Sequence, residues 1–189
     1  MLRLQRVPQP ENHSSSSPST RQKPMDTKKQ LFFSRTAAQL QAAGFRIERE
    51  DANRPWGGFF VIDETQAQQF ADTYFDGLLI EQLKISGKLS PKILLIAPHQ
   101  RLSWQYHLRR GEIWHVVQGP VGVATSETDE QHLMRHYETG QQLTLRKGER
   151  HRLIGLEGWS ILAEIWQHTD VAHPSDEDDI VRVQDDFGR

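Results

Sequence analysis

The sequence predicts a mainly β fold, a single barrel or sandwich preceded by a short helical extension. Three observations carry that expectation. From Lys92 onward, short apolar runs alternate with turn-forming segments, the pattern of a chain built from many short strands. Before Lys92, two segments carry helix start and stop signals instead. With 189 residues and 36% hydrophobic content, the chain can hold one globular domain with a real core.

Residues 1 to about 30 read as a disordered tail. The run from Pro8 to Pro18 has no apolar periodicity and cannot repay its ordering entropy. It bears Arg and Ser and is poor in acid, as transit peptides are, but its prolines oppose an amphipathic helix. Met25 is an alternative first residue. The folded domain is expected over 31–189, with its barrel core at about 92–168. Ser34 to Gly44 reads as a helix, with Ser34 or Thr36 as N-cap and Gly44 as its stop. Phe45 to Glu50 alternates like a strand, and Arg54 to Ile62 is a turn running into an apolar strand. Asp63-Glu64-Thr65 then caps a second helix over Gln66 to Phe75. Further strands are expected at Lys92 to Pro98, Ile113 to Val117, Val121 to Thr125, Gly140 to Leu145 and Trp159 to Trp166.

Composition narrows the function classes. A formal net charge of −2 gives no electrostatic reason to expect nucleic acid or a membrane surface. The absence of cysteine excludes disulfides and thiolate metal sites. No apolar run approaches the length of a membrane span. The expected location is cytoplasmic.

One stretch concentrates chemistry: Ser103 to Trp114. Read as a strand, a turn at Leu108 to Gly111 and a return strand, it sends Gln105 and His107 to one face, with Gly111 free to take positive φ. Glu112 opens the return strand. An amide oxygen, an imidazole and a carboxylate would then meet at one point, with His151 as a candidate fourth ligand. The alternative is a polar network inside a barrel without a metal.

These segments resemble the paired motifs of the cupin superfamily. The first motif, a His-x-His pair, a Glu and a closing Gly, reads here Gln105, His107, Glu112 and Gly119. The second reads Gly140, Arg146-Lys147-Gly148 and His151. Gln in place of the first His resembles the cupin domain of type II phosphomannose isomerases. So do Arg54-Pro55-Trp56-Gly57, His151-Arg152-Leu153 and the ending from Glu177 to Arg189. The resemblance spans about 54–189, and several motifs in one order are harder to obtain by chance than one alone. It departs at Ile113, where the family usually has His, at His99, where Gly commonly follows Pro, and at Arg146, which replaces the turn proline. No Gly-rich nucleotide-binding loop precedes residue 54, so the guanylyltransferase domain usual upstream is not expected.

The resemblance implies a divalent-metal cupin holding the ion on Gln105, His107, Glu112 and His151. Mixed N/O ligation suits Zn²⁺, Mn²⁺ or Fe²⁺, with zinc placed first. The implied activity is aldose–ketose isomerisation of a sugar phosphate, mannose 6-phosphate to fructose 6-phosphate. Lys92, Arg110 and Arg152 match family positions suited to a phosphate. Glu164 and Lys92 are the candidate proton-transfer groups, and the acidic run at 176–179 is either a solvated face or a means of bringing Arg182 to the site. Two other readings stay open: a non-catalytic metal- or sugar-binding cupin, favoured by Ile113 and the missing transferase, and another metal-cupin enzyme such as a dioxygenase. Trp56, Trp114 and Trp166 read as core aromatics, and His99, His115, His132, His136, His168 and His173 as surface or core residues. A homodimer is the expected assembly, with a small sugar phosphate as the partner molecule.

Overall fold

The computed structural model describes residues 26–76, 78–83 and 88–188. Of the tail expected over residues 1 to about 30, residues 1–25 lie outside them, and residues 26–30 form the cap and first turn of a helix. Helix α1 spans Thr27–Ala42, with the Asp26 carboxylate accepting from the Lys28 N–H as N-cap. The helix therefore starts about two turns before Ser34, because Asp26 caps it and Phe32 and Phe33 already face the core. Gly44, at φ +84°, ends it as expected. Strands β1 (Ile47–Asp51) and β2 (Gly57–Ile62) follow, then a 3₁₀ turn capped by Asp63 and helix α2 (Ala67–Tyr74). After the short α3 (Ile80–Leu83) come β3 (Lys92–Ile96), β4 (Trp104–Tyr106), β5 (Arg110–Gln118) and β6 (Val121–Ser126). The remaining strands are β7 (Arg135–Tyr137), β8 (Gln142–Leu145), β9 (Arg150–Gly155), β10 (Ser160–His168) and β11 (Val181–Gln184). Among the described residues no helix is long and apolar enough to cross a membrane.

The strands form two antiparallel sheets, ordered β1-β2-β3-β10-β5-β8 and β11-β4-β9-β6-β7. Alternation along the central strands builds two apolar layers. Ile93 and Leu95 of β3, and Ile161, Ala163 and Ile165 of β10, face outward, packing with Phe33, Leu40 and Phe70 of the helices. Leu94, Ile96 and Leu162 face inward, meeting Val121, Val123 and Leu153 of the second sheet. This double burial explains why Lys92 to Ile96 reads as an unbroken apolar run after its lysine: all five residues are buried.

The expected hairpin at Ser103 to Trp114 is not one. Strand β4 pairs with β9 and β11, whereas β5 pairs with β10 and β8 in the other sheet. The turn at Leu108-Arg109 carries the chain across from one sheet to the other. Gly111 has no positive φ either. It lies inside β5, where a Cβ would come within 2.8 Å of the Leu145 carbonyl oxygen, so its smallness serves close strand approach. The edge strands β7 and β11, only three and four residues long, were not expected.

Candidate metal centre

Strand register explains how the site assembles. On the inner face of the six-stranded sheet, Lys92 of β3, Glu164 of β10 and Trp114 of β5 lie directly opposite one another in one row. Trp166 of β10 and Glu112 of β5 form the next row. On the facing sheet, Gln105 of β4 stands opposite His151 of β9, so both side chains share a face. His107, in the crossing turn, completes the ring. A hydrogen bond from the Gly148 N–H to the His107 carbonyl (2.9 Å) ties that turn to the Lys147-Gly148 turn before β9.

The donor atoms converge. His107, Glu112 and His151 are each about 2% exposed, and one ligand atom from each lies within 4.8 Å of the others. His107 Nε2 is 3.1 Å from Glu112 Oε1, and His151 Nε2 is 3.7 Å from Glu112 Oε2. Ligands about 2.1 Å from one ion lie about 3.0–3.4 Å apart in octahedral or tetrahedral arrangements; the His107–Glu112 pair falls in that range and the His151–Glu112 pair lies just outside it. The imidazoles are oriented for a shared cation. His107 Nδ1 meets the Asp179 carbonyl at 2.5 Å and His151 Nδ1 meets the Glu149 carbonyl at 3.0 Å, leaving both Nε2 atoms facing inward. His151 Nε2 is buried with no hydrogen-bond partner. With Nδ1 protonated, His107 Nε2 and Glu112 Oε1 are two buried acceptors in contact, and Arg110 offers both a donor, at 3.2 Å and 2.9 Å. Gln105 Oε1 accepts from Ser103 Oγ at 2.5 Å, keeping its second lone pair for a ligand role. The residues present fit a divalent ion.

The electrostatics agree with that fit. Burial opposes ionisation of Glu112, but the neighbouring His107 imidazole and Arg110 guanidinium outweigh it and hold the carboxyl well below its usual range. Burial, against the pull of Glu112, lowers His151 to about 4, so its imidazole is neutral and free to ligate at pH 7. Glu164 is the contrasting carboxyl: burial, joined by the charge of Glu112, raises it to about 7. Trp114 Nε1 donates to both carboxylates, at 3.1 Å to Glu112 Oε2 and 2.9 Å to Glu164 Oε2. Trp166 Nε1 donates to Glu164 Oε1 at 2.8 Å.

Two cations flank these groups. Lys92 Nζ bonds Glu177 at 2.6 Å and lies 3.8 Å from the centroid of the Trp166 ring. Burial lowers the Lys92 ammonium from its usual value, although Glu164 and Glu177 oppose the shift. Arg110 packs 3.7 Å from the same ring centroid, bonds Glu112 Oε1 at 2.9 Å and approaches His107 Nε2 at 3.2 Å. Lys92, Gln105, Arg110, Glu112 and Glu164 line one cavity of about 230 Å³, and the exposed Arg182 reaches its wall. Arg54, Trp56 and Ser103 line it too; the sequence placed Arg54 only in a family motif and Trp56 in that motif and the core. Arg152 is not among the lining residues. Its neighbour His151 takes the inner face of β9, so Arg152 points the other way, donating to Gln131 Oε1 at 2.8 Å and the Gln184 carbonyl at 3.3 Å. Ile113 also faces away, into the helical layer, so the change from His there leaves the cavity untouched. Trp56, Trp114 and Trp166 are buried and line the cavity at once. Of the histidines outside the motifs, His99, His132, His136 and His173 are exposed and His168 is buried.

The sequence family described as mannose-6-phosphate isomerase C-terminal matches residues 77–185, more than half of the chain. The chain belongs to this family. Its two facing antiparallel sheets are the cupin fold. No curated protein matches the sequence. Among solved structures, the capsular polysaccharide assembling protein CapF of Staphylococcus aureus aligns over 74% of this chain and 34% of its own, at 11% identity and a TM-score of 0.49. Hazelnut (Corylus avellana) vicilin aligns over 71% and 35%, at 15% identity and 0.49. A recombinant oxalate oxidase in complex with glycolate aligns over 50% and 46%, at 18% identity and 0.42. This mannose-6-phosphate isomerase C-terminal cupin thus spans about a third of the CapF and vicilin chains and under half of the oxidase.

Proposed function

We propose that this cupin is a metal-dependent aldose–ketose isomerase acting on a small sugar phosphate, on the pattern of mannose 6-phosphate to fructose 6-phosphate. Family membership supports the substrate class. The observation that carries the reaction is Trp114 Nε1, which bridges Glu112 of the His/Glu/His group and Glu164, a carboxyl raised to about 7. A group of that pKa accepts and returns a proton at neutral pH, as isomerisation between adjacent carbons requires.

Gln105, His107, Glu112 and His151 would hold the ion, which would act as a Lewis acid toward a sugar carbonyl. Glu164 would carry the proton from one carbon to the next. Lys92, close enough to Glu164 to oppose its raised pKa, would stabilise negative charge developing on the sugar oxygen. Arg182, exposed at the cavity wall, would take the phosphate through its fork. Lys92 and Arg110 already have carboxylate partners, which leaves the rim arginine for that role.

One observation favours a second reading, a non-catalytic ligand-binding cupin. Arg110 already supplies a cation to Glu112 and His107, so the polar group is in part self-neutralised. Metal content of the purified protein, followed by a coupled fructose 6-phosphate assay, separates the two. Bound divalent metal with turnover abolished in His107→Ala supports the isomerase. Bound metal without turnover supports the binding protein, and no metal under any loading condition removes the mechanism.

A further inference from the structure

The segment after β10 returns to the site, and Asp179 sits at its inner bend, 6% exposed. Its carboxylate accepts from the backbone N–H of Leu108 (2.9 Å), that of Arg109 (3.0 Å) and Ser175 Oγ (2.6 Å). Those two amides belong to the turn that separates His107 from Arg110. The carbonyl oxygen of the same residue meets His107 Nδ1 at 2.5 Å. Asp179 thus holds the turn with its side chain and the imidazole with its backbone.

We propose that Asp179 is a positioning residue for the metal centre, fixing His107 in the Nδ1–H tautomer and aiming its Nε2 at Glu112 and His151. This inference rests on the metal reading above. A neutral imidazole that donates from Nδ1 must carry its lone pair on Nε2, the atom 3.1 Å from Glu112 Oε1. The placement is not that of a solvated acid. Arg109 and Arg110 approach the Asp179 carboxylate only at 3.9 Å, and Arg109 takes its close contact from Asp176 at 3.0 Å. Two backbone amides and a hydroxyl hold the carboxylate instead, a fixed geometry that a surface ion pair does not have. The rest of the bend adds to the same end: Asp176 offers its carbonyl to Arg110 Nη1 at 3.0 Å, and the Ser175 N–H donates to His168 Nδ1 at 3.0 Å. Partners of this kind, one shell behind a ligand, are worth about 10–100-fold in metal affinity.

The test compares full-length Asp179→Ala and Asp179→Asn with a core control, Phe70→Leu, which sits in the helical layer. Nitrogen NMR of the metal-free proteins reads the His107 tautomer, and competition with a chromophoric chelator reads zinc affinity. Wild type is expected to show a single Nδ1–H tautomer. Asp179→Ala should mix the tautomers and weaken zinc binding about 10–100-fold. Asp179→Asn, which keeps one acceptor oxygen, should fall between, and Phe70→Leu should lose stability while keeping both readouts. Unchanged tautomer and affinity in Asp179→Ala, or equal losses in Phe70→Leu, would overturn the assignment. Should Asp179→Ala not fold, hydrogen exchange in wild type decides. The Leu108 and Arg109 amides should exchange at least about tenfold more slowly with zinc than without, and equal rates refute the coupling. Should wild type bind no zinc, the metal reading falls, and the tautomer in Asp179→Asn alone decides whether Asp179 holds His107.

Discussion

Replacing Glu164 by Gln should change how stability depends on pH, by an amount the structure sets. Burial raises this carboxyl from 4.5 to about 7, and such a shift corresponds to about 3 kcal/mol. The native chain keeps the Glu164 proton up to about pH 7, whereas the unfolded chain releases it near 4.5. The contribution is therefore full below pH 4.5 and is lost as pH rises to 7. His151 and His168, both lowered to about 4 chiefly by burial, act in the opposite sense, since their contribution is lost as pH falls from 6.5 toward 4. Only the difference between variant and wild type isolates Glu164. Gln introduces one constant penalty: its amide nitrogen must face either Trp114 Nε1 or Trp166 Nε1, both donors, at about 1–3 kcal/mol. The variant should be about 1–3 kcal/mol less stable than wild type at pH 5. At pH 8 the gap should move about 2.5 kcal/mol in its favour, since part of the contribution is already lost at pH 5. Urea unfolding of metal-free protein in chelator, followed by tryptophan fluorescence, measures both. A gap that is the same at the two pH values would refute the ionisation argument, and a Glu164→Gln variant with wild-type turnover would remove the proton-transfer role.

Other outcomes follow from the same geometry. Ile113→His, which restores the family's usual residue, should lower stability by about 1–3 kcal/mol by burying an unpaired imidazole in the helical layer. Chelator competition should show zinc affinity unchanged in that variant. Gly111→Ala forces a methyl to within 2.8 Å of the Leu145 carbonyl and should cost about 1–3 kcal/mol, read as a lower Tm. Lys92→Met removes a charge that opposes the raised pKa of Glu164, so the acidic limb of kcat/KM should move above pH 7. A limb that stays in place would disconnect Lys92 from Glu164.

What could be read from the chain without its fold depended on range. Gln105, His107, Glu112 and His151 are legible because each sits in a short motif of fixed spacing; the structure clusters His107, Glu112 and His151, with Gln105 opposite His151 in the strand register. Local signals also found the Gly44 stop and the Asp63 cap. The crossing at Leu108-Arg109 was hidden, since a turn between two strands reads alike whether they pair with each other or join different sheets. Arg152 shows the same limit: charge and motif suggest a ligand role, but one step along a strand reverses the face. Asp179 was unreadable because its partners are about seventy residues away, and an acid in an acidic run looks solvated. The departure at Ile113 looked like a lost function until the sheet gave it a side.

The chain's passage from one sheet to the other between Tyr106 and Arg110 also gives the site a mechanical character. Gln105 and His151 belong to one sheet and Glu112 to the other, so a ligand engaged by all three acts as a rivet through two plates. Force that pries the sheets apart must shear that rivet first, while force along a single sheet bypasses it. Pulling across the sheets in an optical trap should therefore show a higher rupture force with zinc, and pulling along one sheet should not. A fragment carrying either sheet alone has half the rivet's seat, so occupancy would report that the two halves have closed.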